Sequence, residues 1–177
     1  VRVTNLQRRI GGNRPMVGCF IHHRSSVMKI SISSDTLLGI AASIPQWVRE
    51  RGHEVLLHGA IAPKGNAEWA WASAAAARDV SEGRADQAIV CCTTGTGATI
   101  AANKIPGVRA ALCSDAFTAA GARRWNDANA LGISLRTTSE SEMKEMLDAW
   151  FATQDDASQT ANIAHVNALD ASAQRQP

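Results

Sequence analysis

At 177 residues, with 45% hydrophobic and 19% charged residues, the chain holds enough apolar material for one compact domain and too little charge for wholesale disorder. A net charge of +2 without any basic block sets aside nucleic acid as a partner, and no apolar run reaches the roughly 18 residues of a membrane span. The four cysteines, Cys19, Cys91, Cys92 and Cys113, form no CxxC pair, so no metal is expected, and reduced thiols in a cytoplasmic protein are the economical reading.

Residues 1–27 are basic, aperiodic and interrupted by Gly-Gly-Asn-Arg-Pro, and read as a disordered extension. From Met28 short β-rich runs alternate with helical ones. MKISIS (28–33) is a strand, and Leu37 to Arg51 has helical spacing stopped by Gly52. HEVLLH (53–58) is the second strand, followed by an Ala-rich helix from Glu68 to Ser81. DQAIVCC (86–92) is apolar throughout, as a central parallel strand buried on both faces should be. A glycine turn leads into the short helix ATIAANK (98–104). VRAALC (108–113) is a strand, Ala116 to Trp125 a helix, ALGISL (130–135) a strand, and Ser139 to Phe151 a helix whose Ser139 and Glu142 form a capping box. A weaker helical stretch (157–169) and a polar tail complete residues 153–177. This order implies an α/β fold, a three-layer doubly wound parallel sheet of about five strands, Rossmann-like, in a single domain over 28–152.

Ligands of such sheets sit beyond the carboxyl ends of the strands. Two loops fall there: Ser33-Ser34-Asp35-Thr36 after the first strand, and Cys92-Thr93-Thr94-Gly95-Thr96-Gly97 after the third. Glycines at 95 and 97 allow close backbone approach to an anion or a developing oxyanion; a tight strand-to-helix turn is the plainer alternative. Ile100 stands where a dinucleotide fingerprint needs its third glycine, which disfavours a nucleotide cofactor. A thiol at the strand end, as at Cys92, would feel the following helix dipole. Cys91 and Cys113 read as core residues.

The run CTTGTGATIAANKIPGVRAALCSDAFTAAGARRWNDANALGISLR (92–136) resembles the type-B ribose-phosphate isomerase and galactose-6-phosphate isomerase family, and the similarity extends from Met28 to about Phe151. The resemblance implies aldose–ketose isomerisation through a cis-enediolate without a cofactor, Cys92 being the base. It places Thr94 and Asp35 among the catalytic residues. Substrate contacts would come from Gly95, Thr96 and Gly97, with Thr36, Trp69, Trp125, Asn126 and Arg136. Asn126 matches an asparagine supplied by the partner subunit, so a homodimer with shared sites is expected; further pairing into tetramers is left open.

Departures from the family pattern cluster around the substrate. Thr36 replaces a histidine that contacts the sugar phosphate, Trp69 stands at a tyrosine, Trp125 at the ring-opening histidine, and Ala157 to Asn162 at the phosphate arginines; only Arg136 has an arginine counterpart. Such changes suit a small, open-chain sugar or sugar phosphate, for which a tetrose qualifies. Packing is the alternative for Trp69 and Trp71, and core or interface for Trp125. Epimerisation of a short ketose phosphate, or service as a non-catalytic subunit of a heteromer, are the rival functions.

Overall fold

The computed structural model describes residues 27–154 and 156–173, so the expected N-terminal extension lies, but for Val27, outside the described residues. Five strands, β1 (Lys29–Ser34), β2 (Glu54–Gly59), β3 (Gln87–Cys92), β4 (Ala110–Leu112) and β5 (Ala130–Ser134), pair in parallel in the order β2-β1-β3-β5-β4. Between and after them run α1 (Ser43–Glu50), α2 (Trp69–Ser81), α3 (Thr96–Ala102), α4 (Ala116–Asn126), α5 (Glu140–Ala152) and α6 (Thr160–Ala173). The α/β sandwich read from the sequence is the fold observed.

Side-chain size divides the two helical layers. On one face Ile30, Ile32, Ile89, Leu131 and Ile133 meet Ile44 and Val48 of α1 and Met143, Met146, Leu147 and Trp150 of α5. Full burial of a residue of that size contributes about 1.5–3 kcal/mol. The buried indole N–H of Trp150 donates to Gln87 Oε1 at 2.7 Å, which satisfies both groups. The opposite face is built from small residues, with Ala76 and Ala77 of α2 and Ala98 and Ala102 of α3 on Ala88, Val90 and Cys92. There the helices ride close to the sheet. Gly132 makes this possible, because a Cβ on it would lie 2.0 Å from Thr99 Oγ1.

Several boundaries differ from the sequence reading for local reasons. The helix expected over 37–51 is split into a 3-10 turn (Gly39–Ala41) and α1, since Pro45 has no N–H to donate back to Ala41. The helix expected at 98 begins at Thr96, with Gly95 as its left-handed N-cap (φ +74°), so Thr96 and Gly97 belong to a helical turn. The strand expected over 108–113 shrinks to three residues at the sheet edge. Its outward-facing Ala110 is held by one side chain: Asn103 Nδ2 donates to Ala110 O and Asn103 Oδ1 accepts from Ala110 N, both at 2.8 Å. The capping box at Ser139 and Glu142 forms as expected.

Candidate functional site

Strand β1 has β2 on one side and β3 on the other, so the strand order reverses at the β1–β3 boundary. Ser34 pairs with Cys91, and extending that register by one residue sets Asp35 beside Cys92. Alternation then separates the two cysteines. Cys91 faces α1 and α5, fully enclosed, and burial first, with Cys92 and Asp35 adding, holds its thiol far above the ordinary range. Burial likewise pushes Cys113 up to about 11. Cys92 faces α2 and α3, keeps 6% of its surface exposed, and lies on the same side of the sheet as Asp35.

Burial raises the Asp35 carboxyl, opposed by the peptide N–H groups of Asp35 itself and of Thr93, which ties the end of β1 to the loop after β3. Asp35 Oδ1 is buried without a hydrogen-bond partner among the described residues, as are Ser33 Oγ and, from α2, Ser73 Oγ. Ser31, Ser33 and Asp35 occupy alternate positions of one strand face, so this polar strip was legible in the spacing, although only Asp35 is anticipated as functional. Further along it, Ser31 Oγ donates to Asp79 Oδ2 at 2.7 Å, and Asp79 also pairs with His58 and Arg84.

The glycine loop differs in detail from the expected row of donors. The N–H of Gly95 is occupied, donating to Cys92 O at 3.2 Å. A Cβ at Gly95 would lie 2.6–2.9 Å from Leu112 Cδ1, Ile133 C and Ser134 N, so this glycine serves close packing. Thr96 and Gly97 present first-turn N–H groups that no intrahelical carbonyl can accept. The exposed Thr94 and Thr96 hydroxyls share a hydrogen bond at 2.6 Å. Arg136 donates its peptide N–H to Thr93 O at 3.0 Å and leaves its side chain exposed at the same edge. Thr36 is half-buried, its carbonyl accepting from Ser34 Oγ at 2.6 Å.

The two tryptophans of α2 part company. Trp69 packs on Gly97, whereas Trp71 shares a shallow cleft with His58 and Asn66 on the β2 side. Among the described residues no three His, Cys, Asp or Glu side chains converge as a metal ion would require.

Trp125 and Asn126 lie elsewhere. Helix α4 starts after β4 at the carboxyl edge and runs back, so its last residues reach the amino edge, just before β5 begins. There they line a cleft of about 510 Å³ with Asn162, Val166 and Leu169 of α6. One chain therefore does not bring Trp125 and Asn126 to Cys92. The rest of the Asn-Asp-Ala-Asn run is structural. Asp127, left-handed at φ +45°, receives Arg109 Nη2 at 2.7 Å, and its carbonyl receives Arg109 Nε at 2.8 Å. Asn129 accepts Arg109 N at 2.7 Å and donates to Gly107 O at 2.8 Å. These two roles were missed by sequence reasoning, and no spacing signal marks them.

Residues 30–168 match the family model described as Ribose/Galactose Isomerase, a span that includes β1 after its first residue, Cys92, the glycine loop and most of α6. The chain belongs to that family. Ribose-5-phosphate isomerase B of Escherichia coli is 35% identical over 105 residues, 59% of this chain and 70% of that protein. A D-erythrulose-4-phosphate isomerase of Pectobacterium atrosepticum is 36% identical over 74 residues, 42% and 49% of the two chains. The solved structure of Clostridium thermocellum ribose-5-phosphate isomerase B superposes with a TM-score of 0.74 at 30% identity, covering 82% of this chain and 99% of that one. Family membership makes the chain an enzyme of the sugar-isomerase class, whose members interconvert aldoses and ketoses. Among the described residues no helix is long and apolar enough to cross a membrane.

Proposed function

We propose that this isomerase interconverts a short, open-chain aldose phosphate and its ketose through an enediolate, with Cys92 as the base. The observation that carries the reading is the placement of Cys92 beside Asp35 at the carboxyl edge, facing the first turn of α3. The Cys92 thiolate takes the proton from the carbon next to the carbonyl, and the electron pair moves into an enediolate. Returning that proton to the neighbouring carbon completes the exchange. Asp35, whose carboxyl burial favours the protonated form, relays the proton between the two oxygens. The N–H groups of Thr96 and Gly97 and the Thr94 hydroxyl meet the enediolate oxygen, and Arg136 meets the phosphate.

A four-carbon chain is favoured by the residues themselves. Trp125 cannot open a ring as a histidine would, and a tetrose 4-phosphate, its O4 esterified, has no ring to open, whereas ribose 5-phosphate closes a furanose. Gln159 and Asn162, which bond each other at 2.7 Å where the family resemblance calls for phosphate arginines, leave the phosphate to Arg136. The similarity to an erythrulose-4-phosphate isomerase points the same way.

The site is completed by a second copy. Cys92 and Asn126 stand at opposite edges of one sheet, so a site holding both needs two chains. Exposed Ile100, Leu112, Phe117 and Trp125 supply apolar surface for that contact on the β4 side. The deciding experiment incubates the protein with D-erythrulose 4-phosphate in deuterated water. Deuterium should enter the substrate carbon with the parent and not with Cys92→Ala; equal incorporation by both removes the proposed base.

A further inference from the structure

We propose that Trp69 sets the length of carbon chain that the site accepts, an inference that rests on the isomerase reading above. A Cβ built on Gly97 would lie 3.0, 3.2 and 3.3 Å from Cε3, Cζ3 and Cδ2 of Trp69. Near-equal distances to three adjacent ring atoms mean that Gly97 meets the face of the indole, since an edge approach would spread them widely. The ring thus lies on the first turn of α3, where glycine alone leaves room for it.

Its position is not adjustable. Ala72, on the next turn of α2, is wedged over Gly59, whose added Cβ would come 2.8 Å from Ala72 Cβ. Ser73, Ala76 and Ala77 are fully buried behind it, so α2 cannot back away. Yet Trp69 itself keeps 45% of its surface open at the carboxyl edge. A fixed, flat, half-exposed indole at the mouth of a site is a wall.

A sugar whose first two carbons lie at Cys92 meets that wall with the rest of its chain. The C–H side of a short chain gains contact with the ring. One further CHOH unit presses a hydroxyl against a surface with no acceptor to replace its water. The wall therefore disfavours the longer sugar as well as favouring the shorter one, and both contributions enter the ratio of the two rates.

The test compares kcat/KM for D-erythrulose 4-phosphate and D-ribose 5-phosphate in the parent, Trp69→Phe, Trp69→Ala and Gly97→Ala. Trp69→Ala should shift the ratio toward ribose 5-phosphate by about ten-fold or more, with Trp69→Phe between. Gly97→Ala pushes the ring off its seat without removing it, and should shift the ratio in the same direction. A ratio that stays within about two-fold in every variant, while the parent remains active, overturns the role of Trp69 and leaves the isomerase reading standing. A parent that turns over neither sugar overturns both.

Discussion

Cys92 ends β3 at the carboxyl edge of the sheet, and Asn126 ends α4 at the amino edge. Two such residues can serve one reaction only across a subunit boundary. Cys92→Ala and Asn126→Ala homodimers should each be nearly inactive. Refolded together in equal amounts they should recover about a quarter of parental activity, because half the dimers are mixed and each carries one intact site. Failure to recover, or a monomer in analytical ultracentrifugation, would refute the shared site.

Neighbouring cysteines should give opposite phenotypes. Cys92→Ala is expected to lose on the order of 100- to 10,000-fold in turnover while keeping its fold, as circular dichroism would read it. Cys91→Ala should keep turnover and lose about 1–2 kcal/mol of stability to a small cavity, read from urea unfolding.

Gly132→Ala should be severely destabilising, because the new methyl would meet Thr99 Oγ1 at 2.0 Å. An overpacked contact of this kind costs about 1–3 kcal/mol. Adding Thr99→Ala should return a large part of that loss, and strict additivity of the two changes would show that the contact had been misread.

The Asp79 carboxyl is buried, which alone would raise its pKa, but hydrogen bonds from His58, Ser31 and Arg84 outweigh burial and hold it below its ordinary value of 3.8. A carboxylate lowered in the folded state stabilises fully above its unfolded pKa and loses that contribution as pH falls through the folded one. Parental stability should therefore drop below about pH 4, where unfolded carboxyls begin to take up protons. Asp79→Ala should cost about 2–3 kcal/mol at pH 7, discounted from the ~3–5 of a broken buried pair because Arg84 is half exposed. Its stability should also depend less on pH in that acid window. Parallel acid-unfolding curves for parent and variant would refute this assignment.

Gln159→Arg combined with Asn162→Arg should lower the KM for ribose 5-phosphate, since a well-placed charged hydrogen bond contributes about 1.5–3 kcal/mol. Unchanged KM would mean that these positions do not face the phosphate.

The sequence carried the sheet plainly, because DQAIVCC and the alternating runs around it obey strand periodicity wherever both sides are fixed by packing. It misplaced what depends on one contact. The N-terminus of α3 moved because Gly95 takes a left-handed cap, and the 37–51 helix broke at Pro45 because one donor is missing. The placement of Cys92 and Asp35 at neighbouring strand ends was legible, while the different neighbours of Trp69 and Trp71 were not. Which face of a helix meets the ligand depends on where its first turn lands, and residue type does not encode that. Asp127 and Asn129 were hidden for a similar reason, as their partner Arg109 lies 18 and 20 residues away.

Asn103 has a consequence for how copies of this chain can meet. By offering its amide to both backbone groups of Ala110, it imitates a sixth strand one residue long. A neighbouring molecule that tried to extend the sheet through β4 would find its first docking position occupied, with only Leu112 left facing outward. Any association at this border would therefore proceed through side-chain surfaces, and the shortest strand resists fibre-like growth of the sheet.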